Sequence, residues 1–286
     1  SSPSDQAEYD TRDAIRQAYE ATMAQHDLSW PEQLAGPNRD AAIESYELEL
    51  ESLQGTILKE LFPGDPKYDH AVKFATPARM LLDIKRDGRV KSRLVLLGFL
   101  QNKRRVDGPE FNYSSDVVSI VPVRQLFLDP LDRIVATVDI TTAFLQSDPF
   151  PPDQIRYLKF KDVLTGKWRY FTQYGPLYGE CSAPIRFQRT LYTWLGEQGF
   201  VAGKNEPSVF YNRERNMTVL VFVDDCCASC KSKSDAEWFF KLIGDRFKIK
   251  NPVYFEEDTE IDYLGIVFTK HKGVKYASME RYIDSM

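Results

Sequence analysis

One apolar segment, Thr218 to Cys230, is interrupted by a pair of acids, and few architectures can hold such a sequence. Thr218 to Val223 shows no polar alternation and reads as a strand buried on both faces. Asp224-Asp225 then halts the run, and Cys226 to Cys230 resume it, which predicts a hairpin with two carboxylates at its tip. In such a turn both side chains can reach one solvent-filled cleft. Anions so close raise each other's pKa unless a cation compensates. Magnesium does so well, because it takes carboxylate oxygens and keeps positions open for phosphates. A lone Asp-Asp is far more often a plain polar turn.

A second acid bears on that choice. Val135-Ala-Thr-Val-Asp139 predicts a β-branched strand over Ile134 to Val138 that ends at Asp139, with an aromatic, Phe144, five residues on. A carboxylate from this strand beside the Asp-Asp turn would complete a cage for two ions, which in two-metal sites lie ~3.5–4 Å apart. Taken alone, Asp139 is a strand-end aspartate.

The remaining pattern predicts an α+β chain. Residues 1–75 read as helical and peripheral: Asp10 to His26 is polar and Ala-containing, and Asp40 to Leu58 is an amphipathic helix pattern. Pro63-Gly-Asp-Pro66 breaks the chain, with a soft boundary near residue 75. Met80 to Ile84 and Ser92 to Leu100 flank Asp87-Gly88 as a hairpin, and Ile155 to Phe160 and Trp168 to Thr172 flank Thr165-Gly166 as another. Ser182 is the expected N-cap of a helix carrying Phe187, Leu191 and Leu195, closed by Gly196 and Gly199. Ser234-Asp-Ala-Glu237 reads as a capping box opening a helix through Phe247, and Tyr263 to Phe268 as a strand. Strand, helix, hairpin, helix, strand predicts an antiparallel sheet with helices on one face.

The net charge of -5 hides an asymmetry. Residues 1–80 sum to -8 and residues 81–286 to +3, with a basic cluster over Lys85 to Arg105. That cluster is either a solvated hairpin or a phosphate-binding patch. No apolar run approaches the ~20 residues of a membrane span, and Ser1 to Asp10 lacks a secretory core. The chain starts without methionine, and Met286 follows directly on a helix-like stretch, so a piece of something longer is expected. Cys181, Cys226, Cys227 and Cys230 do not form a disulfide framework, which fits a reducing intracellular compartment. Cys227-Ala-Ser-Cys230 reads as buried structural thiols rather than zinc or redox chemistry, because no second pair exists and His26, His70 and His271 show no ligand spacing. Trp168, Tyr170 and Phe171, alternating with Lys167 and Arg169, either stack on bases or pack inward.

Val138-Asp-Ile-Thr-Thr-Ala-Phe-Leu145 resembles the DVKTAFL block of reverse transcriptases of copia-type LTR retrotransposons (Pseudoviridae), and Phe222-Val-Asp-Asp225 their YVDD box with Phe for Tyr. Lys91-Ser-Arg-Leu-Val95 with Gly98-Phe-Leu-Gln101 resembles KARLVARGFxQ. Leu177-Tyr-Gly179 with Ala183-Pro-Ile-Arg186 is similar to LYGLKQAPR, Tyr263-Leu-Gly265 to FLG, and Tyr282-Ile283 to the closing KYI. Ala41 to Leu53 is similar to the family's W-x-x-A…E-L-x-S-L helix. The blocks are collinear over about residues 30–286.

The resemblance implies a right-hand polymerase fold with a ferredoxin-like palm sheet and little thumb. A lead-in would span 1–75. Within 76–286, fingers would take about 80–133 and 150–180, palm about 134–149 and 181–270, and the start of a thumb 271–286. It implies an RNA-directed DNA polymerase, transferring nucleotides from dNTPs to a primer 3′-OH with two Mg2+ ions, or Mn2+ in their place. Asp139, Asp224 and Asp225 would be catalytic and would ligate metal. Phe144 would exclude a 2′-hydroxyl, Lys91 or Arg93 would meet the triphosphate, and Tyr178 and Gly179 would line the nucleotide. Leu264, Gly265 and Arg186 would face primer and template. Partners would be an RNA template, a DNA or RNA primer, dNTPs, and the integrase and ribonuclease H modules of one polyprotein, with no membrane. The setting would be intracellular: cytoplasmic, in a virus-like particle, and nuclear. One departure is Glu180-Cys181-Ser182 for Leu-Lys-Gln, expected to weaken phosphate attraction beside the template. Rival readings are a template-dependent RNA polymerase, a non-catalytic nucleic-acid-binding remnant of a decayed retroelement, and an interaction protein in which Asp-Asp is only a turn.

Overall fold

Alternating and continuous apolar runs become strands, and 3.6-residue patterns become helices, in the computed structural model. It describes residues 28–283 apart from 86, 87, 103–105, 109 and 132. The stretch Asp10 to His26 lies outside the described residues, as do Arg86, Lys103, Arg104 and Arg105 of the basic cluster. In chain order the elements begin with α1 (Trp30–Ala35), α2 (Arg39–Gln54), β1 (Leu58–Leu61), α3 (Tyr68–Phe74), β2 (Thr76–Ile84), β3 (Val90–Leu96) and α4 (Ile120–Leu128). Next come β4 (Ile134–Asp139), β5 (Arg156–Lys161), β6 (Trp168–Gln173), α5 (Ala183–Glu197), β7 (Val201–Ala202), β8 (Val209–Asn212) and β9 (Met217–Phe222). The last are β10 (Asp225–Cys230), α6 (Lys233–Arg246), β11 (Val253–Tyr254), β12 (Glu260–Tyr263), β13 (Ile266–His271), β14 (Val274–Ser278) and α7 (Glu280–Ile283). Among the described residues no helix is long and apolar enough to cross a membrane.

The chain divides into two compact units, one of residues up to Tyr113 with Ser147–Arg186, the other of Ser114–Gln146 with Phe187 onward. In the first, five strands lie in the order β1-β6-β5-β2-β3. Both expected hairpins form, with Gly88 and Gly166 at positive φ in their turns. The helix expected over Asp40 to Leu58 stops at Gln54, ahead of Gly55, and Leu58 instead pairs with β6. That helix then closes an exposed sheet edge. Ser45 Oγ accepts the Ser92 N–H at 2.6 Å and Glu49 Oε1 accepts the Leu94 N–H at 3.0 Å. Residues 92 and 94 turn their amides the same way, and residues 45 and 49 lie one helical turn apart, so the two periods match and the edge donors are satisfied. Trp30 adds a bond from its indole N–H to the Met80 carbonyl at 2.9 Å.

In the second unit, six strands in the order β11-β4-β10-β9-β8-β7 pair antiparallel throughout. Strands β4, β9, β10 and β11 with α5 and α6 run in the chain order β-α-β-β-α-β and lie side by side as β11-β4-β10-β9. Phe187, Leu191 and Leu195 of α5 and Phe239, Ile243 and Phe247, at α6 and its end, cover one face. The other face is covered too, contrary to the one-sided packing expected: Val123 and Phe127 of α4 meet Ile261, Tyr263, Ile266 and Phe268 there. The Phe127 and Phe268 rings stack at 4.1 Å. The β9–β10 pair sends Val219, Val221, Cys226 and Ala228 to one face and Leu220 and Cys227 to the other, so both faces need an apolar layer. Tyr263 to Phe268 is two strands rather than one, because Leu264 and Gly265, with φ of 56 and 74, make a tight turn between β12 and β13. The cap of α6 is Ser232, whose hydroxyl accepts the Asp235 N–H at 3.2 Å, and not Ser234.

Candidate catalytic site

Strands β4 and β10 place Asp139 directly opposite Asp225, so the two carboxylates leave the same face of the sheet. Asp224 stands in the two-residue loop between the paired Phe222 and Asp225, and its carbonyl accepts the Ile140 N–H at 2.8 Å. The other loop residue, Val223, has a φ of 54, which is strained for a β-branched side chain where a hairpin normally uses glycine. Strain held at a loop between carboxylates fits a functional tip.

The electrostatics follow from that crowding. Asp225 is pushed up to about 6, first by burial and then by the charges of Asp224 and Asp139. Asp224 is raised by burial and by Asp139. Lys250 opposes both shifts, with its ammonium 2.9 Å from Asp139 Oδ2. Lys250 was not among the residues the sequence singled out; the only hint was the strand-like alternation Lys248-Ile249-Lys250, which turns Ile249 inward against the core. Hard oxygen donors short of positive charge suit magnesium. Among the described residues, the group whose ligand atoms all lie within 4.8 Å of one another is Glu257, Asp258 and His271, all exposed, and the three aspartates are not drawn in that tightly.

Phe144 lies in the 3-10 turn Ala143–Gln146 after β4, half-buried against the second unit's core. Leu264 packs against the core of the opposite face, beside Tyr263, whose hydroxyl donates to the Asp225 carbonyl at 3.4 Å. Cys226 and Cys227 are fully buried on opposite faces, and burial pushes both thiols up, as expected of structural thiols. Phe171 packs inward on Phe160, whereas Trp168 is 52% exposed.

The other singled-out residues belong to the first unit. Lys91 and Arg93 share one face of β3, and both charges bear on the half-buried Glu49. The Tyr178 carbonyl accepts the Leu96 N–H at 2.7 Å, and a Cβ on Gly179 (φ 81) would fall inside the Leu96 carbonyl. Arg186 donates to Asp107 at 2.9 Å and lies over the Phe111 and Phe150 rings, so its guanidinium is engaged inside the unit. Glu180 corrects the expectation that it faces the template: its side chain is 0% exposed and is ion-paired with Arg156, which also grips Asp107. Ser182 directly precedes α5 as expected, its carbonyl accepting the Arg186 N–H at 3.0 Å, while its hydroxyl donates to Glu180 and accepts from Arg186 Nε. Buried charge has to be matched, and the hydroxyl serves that need first.

No protein-family model matches the chain. Its fold is similar to a foamy viral protease-reverse transcriptase in complex with double-stranded DNA, at TM-score 0.53 and 18% identity, over 86% of this chain and 37% of that one. It is also similar to telomerase from Candida albicans in complex with a fragment of telomeric RNA, at TM-score 0.50 and 9% identity, over 82% and 51%. The protein therefore has a reverse-transcriptase-like α+β polymerase fold, and spans about half or less of the length of these two chains.

Proposed function

We propose that this chain is the polymerase core of a reverse transcriptase from a copia-type retrotransposon polyprotein, extending a DNA or RNA primer on an RNA template from dNTPs. The observation that carries this reading is the register of β4 with β10, which sets Asp139 against Asp225 with Asp224 adjoining. Asp139, Asp224 and Asp225 would hold magnesium, which when bound supplies positive charge at the attacking hydroxyl and the triphosphate. The residues' own part is to bring three acids, one on β4, one on β10 and one in the loop before β10, to one end of a single sheet. Phe144, five residues beyond Asp139 and braced by the core, is the assigned gate against a 2′-hydroxyl. Lys91 and Arg93 supply phosphate-binding charge on the first unit. Integrase and ribonuclease H modules of the same polyprotein are the proposed partners.

The test is extension of a DNA primer on an RNA template by the full chain with magnesium and dNTPs. Wild-type extension no greater than that of Asp224→Asn overturns the reading; salt-sensitive binding without extension would then favour a non-catalytic remnant. Extension with ribonucleotides alone would favour an RNA polymerase. Phe144→Ala is expected to relax the preference for dNTPs over ribonucleotides about tenfold or more, the scale of steric selection by one side chain. Unchanged discrimination in that variant removes Phe144 from the gate.

A further inference from the structure

Beyond the end of β4 the sheet continues for only one isolated rung, Ile140 against Ile249. Backbone bonds flank it, Lys250 N–H to the Asp139 carbonyl at 2.9 Å and Thr141 N–H to the Lys248 carbonyl at 2.8 Å. A rung this short is marginal, yet it carries the Lys250 ammonium to the Asp139 carboxylate. One side chain closes the ladder. The Gln146 carboxamide donates to the Thr141 carbonyl at 2.6 Å and the Lys248 carbonyl at 3.1 Å, and accepts the Lys248 N–H at 2.7 Å. It pairs with Lys248 as a peptide group of a neighbouring strand would, which extends the ladder by the equivalent of one residue.

We infer that Gln146 is a positioning residue: it locks segment 248–250 to the end of β4 and so holds Lys250 at Asp139, as the resident cation that a divalent ion must displace. The second half rests on the polymerase reading, since it takes Asp139 as a metal ligand. An ammonium fixed 2.9 Å from one ligand oxygen competes for that oxygen and repels an incoming cation. The pair is partly exposed, at 64% and 31% for Lys250 and Asp139, which keeps the competition modest. A latch of this kind keeps Asp139 paired until metal arrives.

Mn2+ titration of the full chain, counting only binding that Asp139→Asn removes, tests the second half. That correction excludes uptake at the exposed Glu257, Asp258 and His271. Lys250→Met is expected to tighten Mn2+ about two- to fivefold, the range set by exposed ion pairs. Gln146→Met, which keeps the volume and loses the hydrogen bonds, should move affinity in the same direction, and the double variant should not exceed Lys250→Met alone. A purely structural role for Gln146 predicts no such non-additivity. Unchanged or weaker Mn2+ binding in Lys250→Met overturns the displacement; a Gln146→Met effect that adds in full to it overturns the coupling. The positioning half is read without metal, by amide hydrogen exchange in EDTA: protection at Lys250 should fall about tenfold in Gln146→Met. Unchanged protection there overturns the clamp. Lost protection with no Mn2+ binding in any variant would instead leave the clamp standing and count against the polymerase reading.

Discussion

Asp225→Asn is expected to cut magnesium-dependent primer extension by on the order of a thousandfold while making the folded chain more stable at neutral pH. The two effects have one cause. Asn keeps the shape of the side chain but removes the charge that would hold metal, and that charge is also the one burial, Asp224 and Asp139 disfavour. With a folded-state value of about 6, above the ordinary carboxylate value of 3.8, the folded chain holds this proton more tightly than the unfolded chain does. As pH rises from about 4 through 6, wild type therefore loses stability, and the loss is complete above 6. Discounted for solvent screening, it amounts to about 1 kcal/mol at pH 7. Melting curves in EDTA should show the variant's advantage at pH 7 vanish near pH 4. An advantage equal at both pH values, or wild-type extension by the variant, would contradict this account of the cluster.

Arg156→Ala should be among the most damaging single changes in the first unit, costing about 3–5 kcal/mol out of a typical total of about 5–15. Its side chain is 2% exposed and lies between Asp107 and Glu180, both at 0%. Removing it leaves two buried carboxylates. Asp107 keeps Arg186 and the Tyr113 hydroxyl, whereas Glu180 keeps only neutral donors, among them Gln173 Nε2 at 2.8 Å. The damage should therefore concentrate at Glu180, and Glu180→Gln should be less harmful in the Arg156→Ala background than in wild type. Urea unfolding of the four chains measures this cycle. A loss below about 1 kcal/mol for Arg156→Ala would mean that water reaches the cluster.

The same cluster shows why a departure from a family pattern is hard to weigh in one dimension. Glu180 reads as an acidic group added beside a template path, because its partner Arg156 lies 24 positions earlier in an unremarkable strand. Nothing in local spacing links them. The comparison with polymerase folds supports the architecture, while copia-type ancestry and activity remain the content of the proposal tested above.

What the chain's order of residues decided by itself is local: strands from β-branched runs, turns at Gly88 and Gly166, helices from apolar spacing, and acids at Asp139, Asp224 and Asp225. These follow from backbone sterics and side-chain periodicity within a few residues. The pairing of Asp139 with Asp225, the covering of both sheet faces, the Lys250 ammonium at Asp139, the Gln146 clamp and the Arg156–Glu180 pair belong to the tertiary structure. Each joins residues from roughly twenty to more than a hundred positions apart, and such contacts are set by strand register and by the need to match buried charge.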